Sequence, residues 1–300
     1  MGKDGRGGAA RSRRGPVTVV MATLNRRAEA LNALDHLLAL PERPAILVID
    51  NGSSDGTVEA VRRAHPAVGT IALGENLGGM ARTIGAANAT TPYVAFSDDD
   101  SWWAPGSIGR AIELLDAHPR LGLLVARVLV GEEQRLDPAS ATMRSSPLPR
   151  DDGAAGVPVL GFMACAAALR RAAFLGVGGF HHRFGIGGEE ALVAMDIAAA
   201  GWELAYVDQM VVHHHPSRSR DPFGRRRILA RNDLWTSWLR RPARDVRRQT
   251  LRTARAALRD PAVRAGLLEA ARGLPWVLTE RRPLTAKVEA DLRRLAAGQV

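Results

Sequence analysis

Residues 16–26 read PVTVVMATLNR. The run is apolar and β-branched without alternation as far as Ala22, and then Thr23, Asn25 and Arg26 follow almost at once. A strand apolar on both sides must be covered on both faces, which is the condition of a parallel sheet interior. The abrupt change to polar residues marks the strand's carboxyl end, where open α/β sheets take their ligands. The same grammar repeats downstream. Asn25–Leu40 has helical periodicity through Leu31, Leu34 and Leu38, and Pro41 and Pro44 end it. Ala45–Ile49 is a second buried strand, followed by a polar loop from Asp50 to Gly56 and a helix to Ala64 that Asp55 can cap. Val68–Leu73 is a third strand, Gly74–Gly79 a glycine-rich loop and Met80–Asn88 a helix. Tyr93–Phe96 is a fourth strand, ending in Ser97-Asp98-Asp99-Asp100. Strands alternating with helices at short intervals predict an α/β fold with a mostly parallel, Rossmann-like sheet flanked by helices. All the polar loops then gather on one edge.

The second half is less regular. A strand is expected over Leu121–Val130, a polar connection over Glu132–Gly156 and a strand-like run over Val157–Leu169. A glycine-rich loop follows over Phe174–Gly188, then a helix over Glu189–Ala200 and two short strands, Leu204–Val207 and Met210–Val212. From Arg218 onward there are 21 Lys+Arg against 8 Asp+Glu, whereas the preceding residues are close to balanced with a slight acidic excess, so the positive net charge belongs to a helical tail. The organisation expected is a disordered basic arm (1–15), a catalytic domain (16–217) and a basic helical extension (218–300). The single cysteine, Cys165, lies in an apolar run and reads as a buried thiol; it excludes an internal disulfide or a cysteine zinc site. No apolar stretch reaches the roughly 20 residues that span a bilayer. The Gly/Arg-rich start is unlike a secretory signal, so a cytoplasmic location is expected.

Three adjacent carboxylates repel one another unless a cation or donors offset the charge. Alternate residues at a strand end point the same way, so Asp98 and Asp100 could share one ligand. Carboxylate oxygens suit Mg²⁺ or Mn²⁺, although a solvated acidic loop or a helix cap before Pro105 is an equal reading. Asp50 abuts a buried strand and is placed to accept hydrogen bonds from a base or ribose. Asn76–Gly79 opens a helix whose amides could meet a phosphate, with Arg82 on the first turn. Glu189 and Glu190 begin a helix, where they serve either the dipole or as a general base. His213-His214-His215 cannot all face one site; one suits a metal and the others solvent or packing.

The order of these elements is the more specific observation. VVMATLNR (19–26), VIDNGSSDGT (48–57), ENLGGMARTIGAANA (75–89), VAFSDDD (94–100), GIGGEEALVAMDIAAAGWELAYV (185–207) and VVHHHPS (211–217) together resemble inverting family 2 glycosyltransferases of the GT-A fold. The resemblance implies a nucleotide-sugar donor, a saccharide or lipid-linked acceptor and a hexosyl or deoxyhexosyl transfer assisted by Mg²⁺ or Mn²⁺. It places Thr23, Asn25 and Arg26 at the nucleotide pocket and Asp50 at the base. Asp98, Asp99 and Asp100 match the acidic metal motif, with Asp100 the direct ligand. Glu189-Glu190 matches the acidic pair that carries the base. Many relatives have Asp as its second member, so the choice between the two glutamates stays open. His213 or His214 matches a histidine that completes the metal or diphosphate site.

Other classes fit less well. A nicotinamide enzyme would need G-x-G-x-x-G after the first strand. A nucleotidyltransferase would need a basic glycine-rich loop there. The tail arginines suit solvent or an anionic membrane surface, with Trp235, Trp238 and Trp276 either at that interface or packed on the body. Nucleic acid is not expected as a partner. An inactive carbohydrate-binding relative need not keep the acidic motifs.

Overall fold

The computed structural model describes residues 15–216 and 221–298. The arm expected over 1–15 lies outside them except for Gly15, and so does the boundary drawn at 217. The strands are β1 (Val17–Thr23), β2 (Ala45–Asp50), β3 (Gly69–Ala72), β4 (Tyr93–Asp98), β5 (Ser101–Trp103), β6 (Leu121–Val130), β7 (Arg135–Leu136), β8 (Val157–Pro158), β9 (Ala167–Arg170) and β10 (Glu203–His214). The helices of the body are α1 (Arg27–Leu38), α2 (Thr57–Ala64), α3 (Met80–Asn88), α4 (Ser107–Ala117), α5 (Pro138–Arg144), α6 (Arg171–Gly176) and α7 (Glu189–Ala199). Those of the tail are α8 (Pro222–Arg240), α9 (Ala243–Ala257), α10 (Pro261–Arg272), α11 (Leu274–Glu280) and α12 (Ala286–Ala297).

The strands form one sheet in the order β3-β2-β1-β4-β9-β6-β10-β5, with β7 beside β6 and β8 beside β10. β1 pairs in parallel with both β2 and β4, and β6 with β10. β9 and β5 enter antiparallel. The mostly parallel, helix-flanked sheet expected from the sequence is therefore what forms. β1 shows why its apolar run has no alternation. Val17, Val19 and Met21 pack with α1 and α4 on one face, while Val20 and Ala22 pack with α3, α6 and α7 on the other. Helix α3 lies so close to β1 that a Cβ on Gly85 would sit 2.3 Å from Val20.

Three expectations change. Glu132–Gly156 contains α5, started by Asp137, whose side chain accepts from the Ala139 amide at 2.7 Å, with Pro138 as first helical residue. Val157–Leu169 is not one strand: it divides into β8, a 3₁₀ turn at Ala164–Ala166 and β9. The two strands expected before the histidines are the single strand β10. The polar Asp208-Gln209 between them is absorbed as an irregularity in its register with β6, and Asp208 is held by Tyr206 and Arg144.

The tail is docked on the body. Trp235 and Trp238 are buried with Leu234 and Leu239 against Phe184 and Leu192, and Trp276 packs on the same cluster. Their indoles are satisfied internally, Trp235 by the Ala270 carbonyl and Trp238 by Thr250. Of the two roles open to these tryptophans, packing on the body is the one observed. Arg240 adds a two-pronged ion pair to Asp196 of α7 at 2.5 and 2.9 Å.

Candidate active site

The carboxyl ends of β1, β2, β4 and β10 converge on one edge of the sheet, and the loops that carry polar residues meet there. The register aligns Thr23 with Asp50 and Ala22 with Asp98. One Asp50 oxygen accepts from the amides of Gly52 (3.2 Å) and Ser53 (2.9 Å). Its other oxygen is buried with no partner among the described residues. A buried, unpartnered carboxylate oxygen is costly and needs a reason, and a donor on a bound base supplies one. Asn25 adopts a left-handed backbone (φ 52°) and stitches the first loop to the second, accepting from the Ser54 amide at 2.7 Å. The N-cap of α2 is Gly56, and Asp55 before it accepts from the amides of Thr57 (3.0 Å) and Arg27 (3.1 Å), tying the starts of α2 and α1 together.

The acidic triplet does not behave as a continued strand. β4 ends at Asp98, and Asp99-Asp100 make a turn into β5. In place of Asp98 and Asp100 sharing a partner, Asp99 and Asp100 each accept from Arg26 Nη1 at 3.0 Å. Asp98 pairs with Arg82, a fully buried arginine of α3. Burial pushes the Asp99 carboxyl up to about 6, against the pull of Arg26. Asp100 also lies 3.4 Å from Nε2 of His214, and its carbonyl accepts from the His215 amide at 2.8 Å. His214 is thus the histidine on the acidic side. His213 is the next residue of a strand and faces away, bonding Gln134 at 2.6 Å beside a cavity of about 400 Å³ that His36 and Trp102 also line.

The glycine-rich loop is engaged inside the protein. The Gly79 amide donates to the Gly185 carbonyl (3.1 Å), the Gly78 amide to Asn76 (2.9 Å) and the Leu77 amide to Asn51 (3.2 Å). These amides, offered to a phosphate by the sequence, have internal acceptors. The loop is instead a bearing for the segment before α7. Gly78 has φ 58°, and a Cβ there would lie 2.7 Å from Gly185 Cα.

That segment delivers the acidic pair. Glu189 is 2% exposed and accepts from the Gly187 amide, whereas Glu190 is half-buried at the rim. Both act electrostatically on Arg82. Burial, reinforced by the charge of Glu190, pushes the Glu189 carboxyl up to about 8. The folded state therefore holds a proton on Glu189 that the unfolded chain releases above its ordinary value near 4.5. This contribution to stability is present below that value and is lost as pH rises to about 8. Glu189→Gln keeps an acceptor for Gly187 and removes the titration. Urea unfolding should show the variant gaining on wild type from pH 5 to pH 8; an unchanged gap would refute the assignment.

Sequence reasoning missed Asn232. This fully buried residue of α8 donates to the carbonyls of Phe184 (3.0 Å) and Gly187 (2.7 Å), and Arg231 adds a bond to Phe184 at 2.5 Å. The tail thereby clamps the loop that aims Glu189 and Glu190. Nothing local in α8 marks an asparagine whose partners are over forty residues away. Asn232→Ala is expected to cost about 1–3 kcal/mol by taking the donor from the Gly187 carbonyl, the Phe184 carbonyl keeping Arg231, measured by denaturant unfolding.

Cys165 is buried and its thiol is pushed well above the ordinary range by burial, in keeping with an inert packing role. Among the described residues no three His, Cys, Asp or Glu side chains form a ready metal cage. The donors present still fit a hard divalent ion. The Asp100 carboxylate and His214 imidazole, 3.4 Å apart, offer oxygen and nitrogen on one side, and such ions usually complete their shell with substrate phosphates and water.

Comparison with known proteins shows the family and the fold. Residues 18–177 match the family model for Glycosyl transferase family 2. The chain is 30% identical over 217 residues to the N-acetylglucosaminyl-diphospho-decaprenol L-rhamnosyltransferase of Mycobacterium tuberculosis, covering 60% of this chain and 70% of that one. In fold it is similar to a mannosyltransferase of Pyrobaculum calidifontis solved with GDP-Man and Mn²⁺, with a TM-score of 0.59 at 21% identity over 95% of this chain and 76% of that one. It is also similar to GalNAc-T7 solved with UDP, GalNAc and Mn²⁺, with a TM-score of 0.57 at 16% identity over 74% and 47% of the two chains.

Proposed function

The chain belongs to glycosyl transferase family 2, and from that membership we propose that it moves a sugar from a nucleoside-diphosphate donor, with inversion, onto a hydroxyl of a lipid-linked saccharide. The observation that carries this reading is the convergence of Asp98–Asp100, Arg26, Arg82, His214 and the Glu189-Glu190 pair on one sheet edge, beside the unpartnered oxygen of Asp50. The lipid-linked acceptor draws support from the name of the mycobacterial relative, whose substrate is a diphospho-decaprenol.

The residues divide the work. Asp50 receives a donor from the base, with Thr23 at the neighbouring register position. Arg26 and Arg82 hold the acidic turn rigid and temper its repulsion. A divalent ion, Mg²⁺ or Mn²⁺, held by Asp100 and His214 with Asp98 nearby, would offset the charge gathering on the departing diphosphate. Glu190, the reachable carboxylate of the pair, takes the proton of the acceptor hydroxyl. That oxygen forms its bond to the anomeric carbon as the bond to the diphosphate breaks on the opposite side, so the configuration inverts and a nucleoside diphosphate leaves. Glu189 stays protonated and fixes the start of α7.

Incubation with UDP-, dTDP- and GDP-sugars and a polyprenyl-diphosphate saccharide tests this, reading the released nucleotide by chromatography and the product anomer by NMR. A nucleoside diphosphate and an inverted linkage are expected. Release of pyrophosphate, or retention of configuration, would overturn the mechanism.

A further inference from the structure

We propose that helix α9 is a docking surface for an anionic phospholipid bilayer, a reading that rests on the lipid-linked acceptor above. Arg244, Arg247, Leu251 and Arg255 are spaced at helical intervals along one stripe of α9, and Leu258 and Arg259 follow in the turn that closes it. All six are exposed, Leu251 by 50% and Leu258 by 82%. The opposite side of the helix carries Thr253 and Ala257, which are buried, and the buried Asp245 lies at the edge of the stripe, paired with Arg248. Asp245 is the sole acidic residue between Ala243 and Arg259.

What sets the stripe apart is the combination of cations with exposed leucines. Several arginines elsewhere in the tail are matched, Arg227 with Glu269, Arg240 with Asp196 and Arg241 with Glu289, and Arg248 of α9 pairs with Asp245. Among the described residues the four guanidiniums of the stripe have no carboxylate partner. Unmatched cations interleaved with exposed leucines suit the boundary of a charged bilayer. The leucines enter the acyl edge, the arginine stems cover apolar surface and their heads reach lipid phosphates. A nucleic acid would use the cations but gain nothing from the leucines, and the tail's tryptophans, which could stack on bases, are packed inside. A second copy of the same stripe would repel it. Docking here has a use. α9 packs against α8, and α8 holds the loop that aims Glu190, so a bilayer on this face lies one helix away from the frame of the site.

The test is co-sedimentation of the full chain with phosphatidylcholine vesicles, with and without phosphatidylglycerol. Binding is expected only with the anionic lipid and should weaken as salt is raised. Leu251→Ser combined with Leu258→Ser should weaken it about tenfold or more. Arg247→Gln combined with Arg255→Gln should weaken it about fivefold per arginine removed. Both pairs are exposed, so thermal midpoints should stay near wild type. Binding regardless of lipid charge, no binding, or unchanged binding in both variants would overturn the proposal. So would oligonucleotide binding at physiological salt that ignores the leucine changes, or dimerisation through the stripe. Transfer to a soluble acceptor without its lipid should be unchanged in both variants. Vesicle binding with no transfer to any acceptor would count against the proposed function and leave the docking face standing.

Discussion

Glu190→Gln should lower turnover by about 10²–10⁴ while leaving affinity for the nucleoside diphosphate nearly unchanged. The two glutamates are adjacent in sequence but not equivalent in the fold. Glu189 is enclosed, accepts from the Gly187 amide and holds its proton up to about 8, so at neutral pH it has no lone charge to offer a substrate. Glu190 stands half-exposed at the rim of the same helix start. In the proposed mechanism the acceptor hydroxyl approaches it there. Glutamine preserves its volume and hydrogen-bonding reach but cannot take a proton. The loss should therefore appear in kcat with little change in donor KM, as for a group that acts on the reacting atoms and not on ground-state binding. A thousandfold loss corresponds to about 4 kcal/mol of transition-state stabilisation. Steady-state kinetics with calorimetric titration of the nucleoside diphosphate checks both halves. If Glu190→Gln transferred at the wild-type rate and Glu189→Gln did not, the roles would have to be exchanged.

The legible parts of this chain are those where the physics is local. Strands β1, β2 and β4 show as apolar runs, because covering both faces of a sheet removes polar alternation, and their ends show because polar residues appear at once. Asp50 could be singled out because a carboxylate against a buried strand lacks a solvent excuse. Parts that depend on distant contacts did not show. β9 is four residues long and antiparallel, inserted between β4 and β6, and nothing in AALR announces its neighbours. Three histidines in a row look like a loop. Only their placement at the end of β10 turns His213 and His214 to opposite sides and selects the one beside Asp100. The triplet Asp98–Asp100 suggested a shared cation. The structure adds Arg26 and Arg82 as resident cations, and neither lies near the triplet in sequence. Asn232 is the extreme case, since its whole role lies in carbonyls of a segment far from it along the chain.

Asp100→Ala should reduce kcat/KM by on the order of a thousandfold, the scale of several kcal/mol that a bound ion supplies to a leaving phosphate. The same change should abolish a measurable Mn²⁺ response. Asp100 occupies the one position where the end of β4, the start of β5 and the end of β10 meet. Its side chain faces Arg26 and His214, and its carbonyl accepts the His215 amide. Alanine retains the backbone bond, so the turn should persist. Arg26 keeps Asp99 as a partner and is itself partly open to water, so no charge is stranded and the stability cost should stay near 1 kcal/mol. This separation of a small structural cost from a large functional one makes the variant informative. Calorimetric titration of Mn²⁺ in the presence of a nucleoside diphosphate gives a readout independent of turnover. His214→Ala removes the nitrogen but leaves the carboxylate, and should weaken Mn²⁺ binding less than Asp100→Ala does. Equal Mn²⁺ binding by wild type and Asp100→Ala would show that the ion, if the enzyme uses one, is held by other groups. The acidic turn would then be a scaffold that Arg26 and Arg82 keep folded.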